Sequence, residues 1–180
     1  QLYRYDPVGA SFELVSRDSP WDVASFELSK DRRTLAAIVN QRGRGELRVY
    51  DATSLTPVAV PAIPGSVTRI RFAPDGKRLA LSVASAATPS EVMVLDLERG
   101  ELVSWVRADT AGLDTSSFSP TEVFEWSSFD GRTVSGLITR PPAKFSGKRP
   151  VLIEIHGGPE SQSRLGFKGR YNYLVNERGV

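Results

Sequence analysis

The N-terminal two thirds of the chain consist of short segments in which apolar and polar residues alternate. Residues 70–72 form one such segment and residues 79–83 form the next. Alternation with a period of two predicts β-strands that bury one face. The intervening residues 74–77, with the sequence Pro-Asp-Gly-Lys, have the composition of a tight turn. The two segments are therefore predicted to form a β-hairpin.

This pattern repeats along the chain. Asp6, Asp51 and Asp96 recur at intervals of 45 residues, each at the end of an alternating segment, and residues 31–36 align with residues 75–80. A period of this length suits the four-stranded blade of a β-propeller. Because the three aspartates recur with the repeat, they are predicted to be turn-forming residues rather than metal ligands.

The two clearest repeats, residues 26–51 and 70–96, are predicted to superpose as successive antiparallel blades, with Asp51 and Asp96 at matching corners. Arg32 occupies the position that Gly76 has in the second repeat. A left-handed backbone would cost a non-glycine residue about 1 kcal/mol at that position. A different turn type is therefore expected in the first repeat.

The alternation stops between residues 108 and 121, where polar, turn-forming residues predict a connection between two domains. Beyond it, the apolar segments 124–126 and 134–138 flank Asp130 and Gly131. This is a hairpin signal that has no counterpart in the repeats. A second domain is therefore predicted to begin at about residue 122.

Residues 151–155 form a short apolar run that ends at His156-Gly157-Gly158-Pro159, and the run is predicted to be a buried central strand. Apolar residues then recur at helical spacing before Gly179. They predict a helix from about Tyr171 to Arg178, packed on that strand.

Composition and charge exclude several classes of function. The chain has no cysteine, one histidine and a net charge of +2 carried by scattered residues. Disulfides, cysteine nucleophiles and a zinc centre are therefore not expected, and nothing favours binding to nucleic acid or to an anionic membrane. No apolar run approaches the roughly 20 residues that a membrane span needs. No metal or organic cofactor is expected.

Both ends are predicted to be cuts in a longer chain. The first residues, Gln1 to Tyr5, contain no initiator methionine and no signal-peptide pattern. The last residue, Val180, directly follows Gly179, an apparent helix C-cap after which a further element should begin.

These features together resemble the prolyl oligopeptidase family of serine peptidases, particularly its acylaminoacyl-peptidase-like branch. The resemblance is carried by the strand-turn repeat at residues 72–80, the hairpin at residues 129–132 and the segment 151–162, and it covers essentially the whole chain. It implies incomplete β-propeller blades followed by the N-terminal part of an α/β-hydrolase domain. The implied bounds are 1–107 for about two blades and a partial one, 108–121 for a linker, and 122–180 for the truncated hydrolase domain.

The resemblance also implies that the loop after residues 151–155 contributes to an oxyanion hole. In such a loop, a backbone N–H stabilises the negative oxygen of a tetrahedral intermediate. Gly158 is the implied donor, Gly157 shapes the turn and His156 lines the pocket. The alternative is that both glycines form only a strand-to-helix turn and that His156 is structural.

The rest of the catalytic machinery is missing from these residues. A hydrolase of this fold carries its serine on a Gly-x-Ser-x-Gly turn, followed by an acid and a histidine. No serine of this chain has the flanking glycines, and His156 lies upstream of where the nucleophile would be. Ser161 and Ser163 are interpreted as loop hydroxyls. The triad is expected beyond Val180.

The implied activity is hydrolysis of short peptides through an acyl-enzyme, with a propeller that restricts access. Oligomeric state is left open, and a cytoplasmic location is favoured over a periplasmic or secreted one. Two alternatives remain at this stage. A non-enzymatic binding propeller would explain residues 1–107 but not 151–159, and an esterase with the same oxyanion loop would explain the C-terminal part but not the propeller.

Three further patterns have simpler interpretations. Residues 42–45, Arg-Gly-Arg-Gly, faintly resemble a nucleic-acid-binding segment but are interpreted as a hairpin loop. Residues 166–169 match the glycine clamp of an RNA-binding KH loop without its helices. Glu154, inside the apolar run, is interpreted as a partnered strand carboxylate.

Overall fold

The computed structural model describes the whole chain, Gln1–Val180, and its regular secondary structure consists almost entirely of antiparallel strands. The strands are β1 (Tyr3–Asp6), β2 (Ser11–Leu14), β3 (Asp22–Leu28), β4 (Thr34–Gln41), β5 (Arg44–Asp51), β6 (Pro57–Val58), β7 (Ser66–Phe72), β8 (Arg78–Ala84), β9 (Glu91–Asp96), β10 (Glu101–Val106), β11 (Thr121–Ser127) and β12 (Thr133–Thr139). A 3-10 helix spans Thr115–Ser117, and the single α-helix, α1, spans Tyr171–Arg178.

Two four-stranded sheets dominate the structure. The first sheet has the strand order β3-β4-β5-β6 and the second has the order β7-β8-β9-β10, so that each is an antiparallel meander. Asp51 pairs with Thr34 in the first sheet, and Asp96 pairs with Arg78 in the second. The predicted pair of equivalent units, with the two aspartates at matching corners, is confirmed.

The main core lies between the two sheets. Alternate residues of β4 and β5 pack against β7, β8 and β9, as their period of two requires. The opposite face of β4 packs with Tyr50 and with Val15, which follows β2, in a second cluster. Strand β4 is consequently buried on both faces.

Equivalent residues of the two sheets differ in burial. Ile70 on β7 is 7% exposed, because the first sheet covers it, whereas its counterpart Phe26 on β3 is 59% exposed. Leu2 and Val15, which flank the β1–β2 pair, pack on the side of the first sheet that holds Tyr50, and Phe26 stays open. Burial of the repeated apolar positions therefore depends on the neighbouring sheet and not on the strand alone.

The repeated aspartates stabilise turns. The Oδ1 atom of Asp51 accepts hydrogen bonds from the backbone N–H groups two and three residues later, at 2.9 and 2.7 Å, and Asp96 does the same at 3.0 and 2.9 Å. Asp6 accepts one such bond, from the Val8 N–H. The hydrogen bonds to Asp51, first of all the one from the Ser54 N–H, lower the pKa of its carboxyl. The prediction of turn-forming aspartates is confirmed.

The expected change of turn type at Arg32 is wrong. Arg32 has φ 61° and Gly76 has φ 70°, so both turns use a left-handed residue at the same position. In the first turn, Asp31 Oδ1 accepts hydrogen bonds from Ser29 Oγ at 2.6 Å and from the Arg33 N–H at 3.1 Å. Because the strand register and this network impose the turn, Arg32 tolerates the strain.

Replacing Arg32 with glycine is expected to stabilise the chain by about 0.5 to 1 kcal/mol. The substitution relieves about 1 to 2 kcal/mol of left-handed strain. The greater conformational entropy of glycine in the unfolded chain opposes this gain by about 0.4 to 1 kcal/mol. Urea unfolding of the 180-residue chain measures the change, and Gly76→Ala, the reciprocal control, should destabilise it. A loss of stability in Arg32→Gly would contradict the account.

The C-terminal part of the chain, from β11 to Val180, begins with the predicted hairpin. Strands β11 and β12 pair antiparallel around Gly131, which has φ 78°. The expectation of a buried strand at residues 151–155 is wrong, because these residues form no strand and are exposed. An apolar central strand needs hydrogen-bonding neighbours on its edges, and no strand of residues 1–180 pairs with this segment.

The predicted helix is confirmed in its bounds but not in its packing. It ends at Gly179, which adopts a left-handed conformation with φ 67°. Its buried side chains are Asn172 and Asn176, and it does not pack on a strand formed by residues 151–155. The helix is eight residues long, and no helix in the structure has the length and apolar character that crossing a membrane requires.

Candidate functional site

The predicted oxyanion loop is a sharp, exposed turn. His156, Gly157 and Gly158 are all exposed, and His156 Nδ1 lies 3.1 Å from the Gly157 carbonyl oxygen. Gly158 has φ 110°, a conformation that other residues rarely adopt. A side chain on Gly158 would begin 3.2 Å from the Ser161 Cβ atom, whereas one on Gly157 would meet nothing within 4 Å. The backbone therefore needs glycine more at Gly158 than at Gly157.

The residues after this turn lie against the first sheet, on the tip of the β4–β5 hairpin. The Leu165 N–H donates a hydrogen bond to the Gly43 carbonyl oxygen at 2.8 Å, and Asn40 Nδ2 donates to Gln162 Oε1 at 2.7 Å. A Cβ atom on Gly43 would lie 2.8 Å from the Ser163 carbonyl oxygen. The segment 162–165 is thus in close contact with the hairpin.

The same hairpin contacts strand β11. Arg42 Nε lies 3.1 Å from Glu125 Oε1, and the Arg42 guanidinium lies over the Trp21 ring, 5.4 Å from its centroid. Both side chains of the ion pair are partly exposed, so the pair contributes at most about 1 kcal/mol by itself. Its significance is that it joins the hairpin to a second element of the C-terminal part.

Helix α1 attaches to the loop between β8 and β9 and to the connection before β11. Asn176 Oδ1 accepts a hydrogen bond from the Ser119 N–H at 3.0 Å, and Asn172 Nδ2 donates to the Ala86 carbonyl oxygen at 3.4 Å. The β4–β5 and β8–β9 connections join the second and third strands of successive sheets, so they lie on the same side of the repeat. Elements of the C-terminal part contact both of these connections.

The other sequence candidates have no catalytic arrangement here. Ser161 and Ser163 are exposed, and the hydrogen bond of the His156 ring reaches only the adjacent carbonyl. Glu154 is exposed and has no ion-pair or hydrogen-bond partner, so its interpretation as a partnered strand carboxylate is wrong. No group of three or more His, Cys, Asp or Glu side chains is placed to hold a metal ion.

The two glycine-containing patterns have structural explanations. Residues 42 and 43 connect β4 to β5 and both have positive φ, as in a tight hairpin turn, while residues 44 and 45 begin β5. The hairpin interpretation is confirmed. Residues 166–169 are followed by α1 but preceded by irregular chain, so the two flanking helices of a KH clamp are not formed.

Sequence reasoning missed the contacts that hold the C-terminal segment on the first sheet. Asn40 lies near the end of a strand and Gln162 in an irregular segment, 122 residues away in sequence. Neither residue belongs to a periodic pattern or a motif. Positive φ at Gly43 could be inferred from the hairpin turn, but its contact with Ser163 could not.

The fold of this chain matches parts of solved peptidase and hydrolase structures. A prolyl endopeptidase matches with TM-score 0.71 and 21% identity over 92% of this chain, and puromycin hydrolase with TM-score 0.76 and 21% identity over 99%. The acylaminoacyl peptidase of Pyrococcus horikoshii matches with TM-score 0.72 and 19% identity over 98%. The resemblance inferred from the sequence is confirmed at the level of the fold.

The chain spans about a quarter of each of these proteins, namely 24%, 28% and 26% of their respective lengths. No protein-family model matches the sequence, and no curated protein matches it either. The similarity therefore lies in the arrangement of the backbone.

Proposed function

We propose that this chain is part of a serine peptidase that hydrolyses short peptides by acyl transfer to a serine outside residues 1–180. The observation that carries the proposal is the match of nearly the whole chain to the fold of prolyl and acylaminoacyl peptidases. Fold alone does not define an activity. The Gly157-Gly158 turn supports a hydrolytic activity, since loops of this kind supply backbone N–H donors to the oxyanion hole of hydrolases.

Peptide ligands of related structures support the substrate class. A serine-to-alanine variant of puromycin hydrolase is complexed with PGG, and prolyl oligopeptidase B of Galerina marginata is bound to a 35mer substrate. We propose the same substrate class, peptides rather than folded proteins, for the enzyme that contains this chain.

In the proposed domain organisation, residues 1–107 are propeller blades, residues 108–121 are the connection and residues 122–180 open the hydrolase domain. Gly158 supplies the oxyanion N–H, Gly157 gives the turn its shape and His156 lines the pocket. The apolar side chains of residues 151–155 are exposed, and apolar surface of this kind marks a place where further elements of the full-length protein would pack.

Activity-based labelling tests the proposal. A fluorophosphonate probe should leave the 180-residue chain unlabelled, because His156, the only histidine, has no hydrogen bond to any serine. The full-length protein should be labelled at one serine on a Gly-x-Ser-x-Gly turn beyond residue 180, and alanine at that serine is the matched control. Labelling of Ser161 or Ser163, or no labelling of the full-length protein, would refute the proposal.

A further inference from the structure

The tip of the β4–β5 hairpin, residues 40–43, is covered by another segment of the chain. Gly43 is buried although it lies between Arg42 and Arg44, both exposed, at the end of a hairpin. The covering atoms belong to residues 162–164, with the Ser163 carbonyl oxygen nearest to the position that a Cβ atom would take. A hairpin tip without a partner would be open to solvent.

One side chain both shapes this tip and binds the covering segment. Asn40 Oδ1 accepts a hydrogen bond from the Gly43 N–H at 3.1 Å, and Asn40 Nδ2 donates to Gln162 Oε1 at 2.7 Å. Asn40 follows the most deeply buried stretch of β4, so its backbone is held by packing on both faces of the sheet. The contact surface is therefore rigid on the side of the first sheet.

Only a short stretch of chain separates this contact from the oxyanion candidate. Gln162 lies four residues after Gly158, and the Ser161 N–H donates to the Pro159 carbonyl oxygen at 3.0 Å within that stretch. Gly158 itself lies close to Ser161. The tight turn leaves few free torsions between Gly158 and the docked residues, so displacement of the docked segment should displace Gly158.

We propose that the β4–β5 hairpin tip, residues 40–43, is a positioning element that holds the His156-Gly157-Gly158 loop in place from the propeller side. The Arg42–Glu125 ion pair is its second anchor on the C-terminal part. The catalytic consequence rests on the proposed function, whereas the docking of residues 162–165 on the tip does not.

The discriminating substitution is Gly43→Ala. It places a Cβ atom 2.8 Å from the Ser163 carbonyl oxygen at a residue with φ 86°. The matched control is Gly100→Ala, which also places alanine at a positive φ, here 69°, with nothing within 4 Å. Gln162→Ala, which leaves the backbone of the turn unchanged, separates the contact with the docked segment from the strain of the turn.

Hydrogen exchange of the Leu165 amide in the 180-residue chain measures the docking. Loss of one hydrogen-bonded contact should speed this exchange about 2- to 10-fold in Gly43→Ala. Gly100→Ala should leave it unchanged. Gln162→Ala removes only the side-chain bond to Asn40 and cannot disturb the hairpin fold, so it should speed the exchange as well. Unchanged exchange in both Gly43→Ala and Gln162→Ala would overturn the docking.

Steady-state kinetics of the full-length peptidase on a short peptide measures the coupling. In Gly43→Ala, kcat should fall about 10-fold or more with KM nearly unchanged, because a misplaced oxyanion donor weakens transition-state binding. Gly100→Ala should alter neither constant. Faster Leu165 exchange with unchanged kcat would overturn the positioning role. A wild-type enzyme without peptidase activity would refute the proposed function, and the exchange data would still decide the docking.

Discussion

Replacing Leu81 with alanine is expected to lower the free energy of unfolding of this chain by about 2 to 5 kcal/mol. Leu81 lies on β8, is 0% exposed and belongs to the core between the two sheets, together with Val49 and Val67. The substitution removes apolar contacts and leaves a cavity that close-packed neighbours fill only partly. Urea-induced unfolding of the purified chain measures the loss.

Leu152→Ala is the matched control, since it makes the same chemical change in a segment that the sequence predicts to be equally buried. Leu152 is 54% exposed and belongs to no strand, so its replacement should change stability by less than about 0.5 kcal/mol. Equal losses for the two variants would contradict the structure and would indicate that residues 151–155 are packed in solution.

Deleting the N–H of Gly158 in the full-length peptidase should lower kcat about 100- to 1,000-fold, which corresponds to about 2.7 to 4 kcal/mol of transition-state stabilisation. KM should change little, because the donor binds the oxyanion more strongly than the ground-state carbonyl. Gly158→Pro removes this N–H, and peptide-hydrolysis kinetics measures the effect.

The conformation of Gly158 dictates the control for that experiment. Its φ of 110° cannot be adopted by proline and is strained for alanine, so both substitutions distort the turn. Gly158→Ala keeps the N–H and should lose much less activity than Gly158→Pro at a similar melting temperature. Replacing the Gly157–Gly158 amide by an ester removes the N–H of residue 158 and adds no side chain, so the backbone can keep its conformation. Full turnover in the ester variant would show that the oxyanion donor lies elsewhere.

Fold alone does not choose between the proposed peptidase and the two alternatives, a non-enzymatic propeller and an esterase. The structural neighbours share the arrangement of strands over nearly the whole chain. Fluorophosphonate labelling and peptide-hydrolysis kinetics of the full-length protein decide the activity.

Local signals in the sequence determined the repeated hairpins of the two sheets, the positions of their turns and the helix bounds. Alternation with a period of two predicts strands at residues 70–72 and 79–83, which lie within β7 and β8, because side chains of a strand point alternately to opposite faces. The aspartates at positions 51 and 96 predict turns because their carboxylates accept hydrogen bonds from the following N–H groups. Such interactions join residues within a few positions, so a single sequence contains them in full.

Tertiary structure decided everything that depends on a distant partner. Arg32 is held left-handed by the register of its hairpin, and the buried Asn172 of helix α1 donates a hydrogen bond to the Ala86 carbonyl oxygen, 86 positions earlier in the chain. Residues 151–155 have strand composition but no strand neighbour, and residues 162–165 lie on a hairpin more than a hundred positions earlier. Sheet pairing and docking are interactions between two surfaces, and the sequence of one surface does not contain the position of the other.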